Sequence, residues 1–167
     1  MFDELTQHDI EKIEKEIEYR KLVLRKQLIE AVKEARAQGD LSENFEYYAA
    51  KREKNINESR IRYLEKTIKT AIIISDDSKD DEVGINNTVT IWIPEDEQEE
   101  TYRIITTIRG NSLKGLISID SPLGKALMGH KVGDTVTVQV SDSYSYEVEI
   151  RHIDKSTDDT NDEIRQF

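Results

Sequence analysis

Cysteine is absent from this 167-residue chain, which contains only two prolines and seven glycines. Without cysteine there is neither a disulfide framework nor a thiolate metal site, and the composition fits a reducing compartment. The longest purely apolar run, Ala71–Ile74, is far shorter than a membrane span. The N-terminus has neither the basic start nor the apolar core of a signal peptide. We therefore expect a soluble, cytoplasmic protein with no membrane partner.

Common catalytic motifs are also missing. The three histidines, His8, His130 and His152, are scattered along the chain and form no metal-ligand spacing. The sequence contains neither the serine turn of an α/β-hydrolase nor a glycine-rich dinucleotide fingerprint. These absences exclude the most recognisable enzyme classes.

The net charge of −11 is unevenly distributed. Residues 1–70 contain 15 acidic and 15 basic side chains, whereas residues 71–167 contain 20 acidic and 9 basic ones. Because residues 71–167 carry a net negative charge, their electrostatic field does not attract duplex DNA. In the first half, basic residues predominate in Arg20–Arg36 and Lys51–Lys69. These segments are either solvated faces with i,i+4 ion pairs or a basic contact surface.

Helical periodicity dominates residues 1–74, where the first glycine is Gly39. Thr6 is a plausible cap of the first helix. Apolar positions at helical spacing in the first segment are Ile10, Ile13, Ile17, Leu24, Leu28, Val32 and Ala35, with one break at Lys21. The looser second stripe consists of Phe45, Ala49, Ile56, Ile61, Leu64, Ile68 and Ala71. A turn at residues 39–46 predicts an antiparallel coiled-coil hairpin.

The pattern changes after a charged, apolar-free linker at residues 75–82. Period-two alternation predicts five strands at residues 88–93, 100–105, 116–119, 136–140 and 144–150. Residues 94–97 are typical of a hairpin turn, and residues 122–129 of one short helix with Ser121 as its cap. Residues 83–154 are therefore predicted to form a small antiparallel sheet with one helix, which makes the chain α+β. Residues 155–167 are expected to be a flexible acidic tail.

Asp40 and Glu43 are the candidate catalytic and metal-binding residues of the turn. Asp-x-x-Glu is also what the start of a helix requires, with Asp40 as the cap and both carboxylates near the positive end of the dipole. Two exposed carboxylates cannot hold Mg²⁺ alone, because the ion keeps waters and shares ligands with substrate phosphates. The pair becomes useful if it completes a metal site in a partner.

Three aromatic residues follow the turn: Phe45, Tyr47 and Tyr48. They cover most of a helix face, so the other helix of the hairpin cannot bury them all. They form either a small packing cluster at the turn or a contact surface.

Two segments carry a family resemblance. Glu34–Glu53 closely resembles the tip of the bacterial Gre transcript-cleavage factors of the GreA type, and Gly115–Asp134 resembles their C-terminal domain. The similarity extends from about residue 5 to residue 154. The resemblance implies an N-terminal antiparallel coiled coil followed by an FKBP-like domain, in agreement with the pattern of the residues.

The resemblance also implies a mechanism. Gre factors bind backtracked bacterial RNA polymerase, and their coiled coil enters the secondary channel. The residues matching the tip carboxylates, Asp40 and Glu43, would help hold a Mg²⁺ shared with the polymerase, so that water attacks the nascent RNA near its 3′ end. Ser42 would steady the same site. The basic residues Arg36, Lys51 and Arg52 would contact the extruded RNA, and DNA binding is a further expectation for a transcription factor.

The chain departs from the family pattern in three places. It lacks the common proline near Arg25, it has Tyr48 where histidine is frequent, and it has Phe45 where a small residue is frequent. These departures leave the carboxylates intact but allow a paralogue with different regulation.

Three alternatives remain open at this point. The first is a regulator of the same channel that does not stimulate cleavage. The second is a prolyl isomerase or chaperone, which needs an aromatic-lined pocket, whereas Trp92, Tyr102, Tyr144 and Tyr146 alternate as core residues would. The third is a coiled-coil scaffold. The expected protein is not itself an enzyme, and it is a monomer because the hairpin packs on itself.

Overall fold

The computed structural model describes residues 3–39, 44–109 and 115–165. The chain divides into two compact units, one formed by Ile10–Ala71 and one by Asp3–Asp9 together with the chain from Ile72 onwards. The helices are α1 (Gln7–Tyr19), α2 (Arg25–Ala37), α3 (Phe45–Thr70) and α4 (Pro122–Leu127), with a π-helical turn at Arg20–Leu24. The strands are β1 (Glu4–Leu5), β2 (Ile72–Ile73), β3 (Thr88–Ile93), β4 (Gln98–Ile105), β5 (Leu116–Ser118), β6 (Thr135–Gln139) and β7 (Ser145–Asp154). The predicted α+β class is confirmed.

The first unit is an antiparallel helical hairpin in which α2 packs against α3. Arg25 Nε and Nη2 donate to the two carboxylate oxygens of Glu58 at 2.9 and 2.8 Å. This bidentate contact holds the pKa of Glu58 below its ordinary value. A second ion pair joins Lys21 Nζ to Glu65 Oε1 at 3.2 Å. The first pair joins α2 to α3, and the second joins the π-helical turn to α3.

The expected regular first helix is interrupted by the π-helical turn, close to the break in the apolar stripe at Lys21. The Arg25 N–H donates to the Arg20 carbonyl, five residues back, which inserts one extra residue into the helical repeat. Asn57 Nδ2 also donates to the Arg20 carbonyl at 3.3 Å, while Asn57 Oδ1 accepts from Arg20 Nη1 at 2.9 Å. As a result, Leu22 and Val23 are exposed rather than buried between the two helices of the hairpin.

The predicted stripe on α3 is wrong at its N-terminal end. Phe45 is 84% exposed and Ile56 is 58% exposed. The buried positions of α3 are Tyr47, Asn57, Arg60, Ile61, Leu64 and Thr67. The interface between the two helices of the hairpin, called the seam below, therefore contains polar side chains where periodicity alone favoured apolar ones. Partners on the other helix satisfy these polar groups.

Glu16 supplies the main partner in that polar seam. Glu16 Oε2 accepts from Arg20 Nε at 2.8 Å and from Arg60 Nε at 2.9 Å. Burial acts to raise the pKa of Glu16, but the hydrogen bonds from Arg60 and Arg20 outweigh it and hold the pKa below its ordinary value. Arg60, which is 3% exposed, is thereby buried with an opposite charge beside it.

The second unit contains a five-stranded sheet with the order β5-β4-β3-β7-β6. Strand β3 pairs antiparallel with β4 and β7, and β6 pairs antiparallel with β7, but β5 runs parallel to β4. The sheet is therefore mixed, which corrects the expectation of a purely antiparallel one. Hydrophobic side chains from one face of the sheet and from α4 form the core. Separately, β1 pairs in parallel with β2.

Local predictions in this unit are confirmed. Ser121 Oγ accepts from the Gly124 N–H at 3.0 Å and caps α4, whose first residue is Pro122. Residues 94–97 connect β3 to β4 as a turn. The predicted cap Thr6 accepts from the Asp9 N–H at 3.2 Å, and Asp9 Oδ2 accepts in return from the Thr6 N–H at 3.0 Å. This reciprocal pair satisfies two backbone donors at the start of α1.

A buried arginine organises the polar interior of the second unit. Arg109 is 2% exposed, and its Nε lies 2.7 Å from Asp9 Oδ1. Its Nη1 donates to Asn86 Oδ1 at 2.7 Å and to Asp162 Oδ2 at 2.8 Å. Thr106 Oγ1 donates to Asp9 Oδ2 at 2.7 Å. The cation is buried together with compensating carboxylates, as a buried charge requires.

The structure differs from the expected flexible tail over the described part of residues 155–165. Arg103 donates through Nη1 and Nη2 to both carboxylate oxygens of Asp162, at 2.7 and 2.6 Å. The Arg165 N–H donates to the Ile108 carbonyl at 2.7 Å, and Ile164 is buried. Because Asp162 neutralises the buried Arg109 and the partly buried Arg103, the segment packs on the rest of the second unit rather than extending away from it.

Replacing Asp9 with alanine is expected to destabilise the second unit by about 3 kcal/mol, because Arg109 would lose a carboxylate partner in a fully buried site. The fluorescence of Trp92, the single tryptophan, reports unfolding of this unit in urea. The exposed Asp76 gives the matched control, for which Asp76→Ala should change the free energy of unfolding by no more than about 0.5 kcal/mol. Equal midpoints for Asp9→Ala and the parent would contradict the assigned role.

The stability of the second unit is expected to fall in acid. Burial acts to raise the pKa of Asp162, but hydrogen bonds from Arg103 and Arg109 outweigh it and lower the pKa. A carboxyl with a lowered folded-state pKa stabilises the fold above its unfolded pKa of about 3.9 and loses that contribution as the pH falls through the folded value. Urea midpoints measured from pH 6 to pH 2 by Trp92 fluorescence should therefore decline below about pH 4. Asp162→Asn should flatten this decline, and an unchanged pH profile would contradict the prediction.

Candidate functional site at the hairpin tip

The candidate site lies between the end of α2 and the start of α3. Helix α2 ends at Ala37, and the Gln38 N–H donates to the Ala35 carbonyl at 3.3 Å. Gly39 follows with φ = +127°, a backbone conformation that side chains with a Cβ rarely adopt. The predicted catalytic residues Asp40 and Glu43, together with Ser42, lie outside the described residues.

The start of α3 corrects one sequence interpretation. The helix begins at Phe45, and its N-cap is Asn44 rather than Asp40. Asn44 Oδ1 accepts from the Tyr47 N–H at 3.0 Å. Asp40 would cap a helix starting four residues earlier. The N-cap position that the sequence assigned to Asp40 is therefore held by Asn44.

Asn44 also makes a contact that the sequence analysis did not anticipate. Its Nδ2 donates to the carbonyl of Ala35 at 2.6 Å, on the other helix. Ala35 is 6% exposed, and its carbonyl, in the last turn of α2, accepts this bond in addition to the one from the Gln38 N–H. The only signal available from sequence was an amide residue next to an acidic turn, which is common at helix starts and does not identify a cross-helix partner.

Arg36 and Tyr47 form a second contact across the two helices. Arg36 Nη2 donates to Tyr47 Oη at 3.3 Å, and the guanidinium carbon lies 5.5 Å from the centre of the ring. The hydrogen bond from Arg36, with the positive charge of Lys51 nearby, lowers the pKa of Tyr47. Tyr47 is 8% exposed, so the ring belongs to the packing of the hairpin.

The sequence suggested either a packing cluster or a contact surface for Phe45, Tyr47 and Tyr48, and the structure divides these residues between the two. Tyr47 is buried and packs edge-to-face with Tyr48, at 5.4 Å between ring centres. Phe45 and Tyr48 are 84% and 53% exposed. Tyr47 therefore acts as packing, whereas Phe45 and Tyr48 present apolar surface beside the tip.

The structure places the three predicted basic contact residues on the surface near the tip. Arg36, Lys51 and Arg52 are all exposed. Arg36 contacts Tyr47, and the positive charge of Lys51 also acts to lower the pKa of that residue. Arg36 is partly committed to Tyr47, which leaves Lys51 and Arg52 as the more available cations of the three.

Other functional classes find little support in the second unit. Trp92 lies under Arg151, whose guanidinium carbon is 4.9 Å from the indole ring. Tyr102 and Tyr146 instead pack against the hydrophobic core on the opposite face of the sheet, and Tyr144 is half exposed. Because the four residues divide between two faces, they do not form the single aromatic pocket that a prolyl isomerase needs.

Within residues 3–39, 44–109 and 115–165, no three histidine, aspartate or glutamate side chains are grouped so that they could hold a metal ion. No helix in the same part of the chain is long and apolar enough to cross a membrane.

Comparison with known proteins gives matches to both halves of the chain. A family model described as "Transcription elongation factor, N-terminal" matches residues 4–73. A second, described as "Transcription elongation factor, GreA/GreB, C-term", matches residues 77–155. Together they span both the hairpin and the sheet unit.

Curated relatives agree with the family models. A transcription elongation factor GreA from Geobacillus kaustophilus is 47% identical over 136 residues, which are 81% of this chain and 86% of the relative. A transcription elongation factor GreA from Streptococcus pneumoniae is 42% identical over 153 residues, covering 91% of this chain and 95% of the relative. These names describe an elongation factor, consistent with a protein that is not itself an enzyme, and they do not support DNA binding.

Solved structures give weaker similarities. A structure of the transcription factor Gfh1 has a TM-score of 0.46 and 25% identity, covering 92% of this chain and 97% of that one. A GreA factor homolog 1 from Thermus thermophilus has a TM-score of 0.43 and 25% identity, with coverage of 92% and 99%. The assignment depends on the sequence matches alone. From these matches, the chain belongs to the GreA/GreB family of transcription elongation factors.

Proposed function

We propose that this protein is a transcription elongation factor that enters the secondary channel of bacterial RNA polymerase as a monomer and stimulates cleavage of backtracked nascent RNA. The observation that supports the proposal most directly is the acidic turn, Asp40 and Glu43, placed between the ends of two paired helices. A carboxylate pair in the turn of a hairpin is suited to completing an active centre that another protein supplies.

The tip residues fit a shared Mg²⁺ by the chemistry of their donors. Asp40 and Glu43 would hold the ion together with carboxylates of the polymerase, because Mg²⁺ prefers hard oxygen ligands and seldom occupies an all-protein cage. A Mg²⁺ bound there would stabilise negative charge on the phosphate oxygens during hydrolysis.

The remaining tip residues would orient the substrate. Ser42 would hydrogen-bond to the water network at the carboxylates. Lys51 and Arg52 are exposed about two turns into α3 and would contact phosphates of the extruded RNA 3′ segment. Arg36 would contribute less, because its guanidinium already contacts Tyr47. Phosphate contacts of this kind position the strand without reading its sequence.

The proposal predicts that the parent protein shortens RNA from its 3′ end in a backtracked polymerase complex with Mg²⁺. Asp40→Asn combined with Glu43→Gln should abolish this stimulation and leave binding to the polymerase within about twofold, because both replacements keep the side-chain size and remove the charged ligands. Gel analysis of labelled RNA measures cleavage, and competition with a labelled parent protein measures binding.

Glu30→Gln combined with Glu53→Gln is the matched control, since both residues are exposed helical glutamates. This control should cleave like the parent. A tip double variant that also cleaves like the parent would show that the carboxylate assignment is wrong. A parent that binds the polymerase and never stimulates cleavage would instead identify the protein as a channel-binding regulator.

Neutralising Lys51 and Arg52 together should reduce the salt dependence of cleavage stimulation. Each lost contact with a single-stranded phosphate should decrease the slope of log affinity against log salt by about 0.7. The slope is measured from cleavage titrations at several salt concentrations on complexes with extruded RNA. Lys66→Ala with Lys69→Ala removes the same charge from the exposed surface of α3 further from the tip. Equal slopes for the two double variants would exclude an RNA contact at Lys51 and Arg52.

A further inference from the structure

Asn44 joins the two helices at the point where the hairpin turns. Its side chain uses both ends of the amide group: Oδ1 accepts from the Tyr47 N–H at 3.0 Å, and Nδ2 donates to the Ala35 carbonyl at 2.6 Å. The first bond caps α3, and the second reaches across to the last turns of α2. One residue therefore ties the start of one helix to the end of the other.

The chemistry of this position needs an amide. A carboxamide offers an acceptor and two donors on one rigid plane, whereas aspartate offers acceptors only and serine is too short to make both contacts. Serine, aspartate and asparagine are comparable as helix caps. A requirement for capping alone would therefore be met by any of the three. The cross-helix bond to Ala35 is the contact that distinguishes asparagine from the others.

The surroundings of Asn44 support a role beyond capping. Arg36 and Tyr47 make a second cross-helix contact by hydrogen bond and by cation–π stacking. We call Ala35, Arg36, Asn44 and Tyr47 the tip clamp. The clamp brackets Gly39, whose φ of +127° ends α2. The end of α2 and the start of α3, which border residues 40–43, are thereby held relative to each other by side-chain contacts.

We propose that Asn44 is a positioning residue for the carboxylates of Asp40 and Glu43, a role that depends on the proposed function. Only four residues lie between Gly39 and Asn44, so the separation and direction of the helix ends limit where those carboxylates can reach. A catalytic constellation must be held to within about 0.5 Å of its productive geometry. A misplacement of about 1 Å can reduce the rate about 100-fold.

The two bonds of Asn44 can be separated by substitution. Asn44→Ser keeps the cap on α3 and removes the donation to Ala35. Asn44→Ala removes both. Asn55→Ser is the matched control, because Asn55 is an exposed asparagine of the same helix. Each variant is tested as the full chain.

Four measurements distinguish positioning from stability. They are the urea midpoint by circular dichroism, binding to the polymerase, the cleavage rate at saturating factor and the Mg²⁺ concentration that gives half the maximal rate. For Asn44→Ser we expect a parent-like midpoint, binding within about twofold and a saturated rate reduced about tenfold or more. The half-maximal Mg²⁺ concentration should rise, since ligands that are held less firmly bind the ion more weakly.

Hydrogen exchange of the backbone gives a readout independent of cleavage. Peptides covering residues 36–48 should exchange faster in Asn44→Ser than in Asn55→Ser or the parent, because one of the two side-chain contacts across the helices is lost. Asn44→Ala should show faster exchange still, together with a lower urea midpoint, because it also loses the cap.

The outcomes separate this inference from the proposed function. If the parent and Asn44→Ser cleave at the same saturated rate while the variant lacking both carboxylates does not cleave, the positioning role is wrong and the proposed function stands. A rate loss in Asn44→Ser explained by weaker binding, with an unchanged Mg²⁺ requirement, also overturns the role. If the parent itself never stimulates cleavage, the proposed function fails and this role fails with it.

Discussion

The polar seam of the hairpin is the constraint on which the arrangement of its tip depends. Glu16 accepts hydrogen bonds from Arg20 and Arg60, and Arg20 exchanges hydrogen bonds with Asn57. An apolar seam tolerates small shifts of one helix along the other, whereas paired buried charges lose several kcal/mol when their partners separate. The seam therefore fixes the register of the two helices. That register determines that Ala35 meets Asn44 and that Arg36 meets Tyr47 at the turn.

A similar principle operates in the second unit, where the buried charge is Arg109. Its partners come from three distant parts of the sequence, represented by Asp9, Asn86 and Asp162. A buried arginine without a partner costs several kcal/mol of folding free energy. When it is paired, its hydrogen bonds favour one arrangement of the segments that supply the partners. The acidic residues near the C-terminus thus have a structural task in addition to their contribution to net charge. This explains why a polar segment with little apolar content nevertheless packs on the sheet unit.

The candidate site could be located from sequence but not assembled from it. The interruption of the helical pattern at Gly39 and the carboxylates Asp40 and Glu43 were visible as residue types in a short segment. Asn44 was not, because its bond to Ala35 joins positions that approach only when the helices pair in one register. The sequence also suggested Asp40 as a cap, since Asp-x-x-Glu fits a helix start, while the helix begins four residues later behind Asn44.

Local chemistry in the sequence was sufficient for the two-part organisation, most strand positions and the caps at Thr6 and Ser121. These features depend on neighbouring residues, so a linear pattern contains them. Tertiary structure alone decided that β5 runs parallel to β4, that a π-helical turn interrupts the first helix, and that Arg109 gathers acids from both ends of the chain. Strand direction, helix register and the pairing of buried charges depend on which distant segments meet, and the energy of those contacts exceeds local preference.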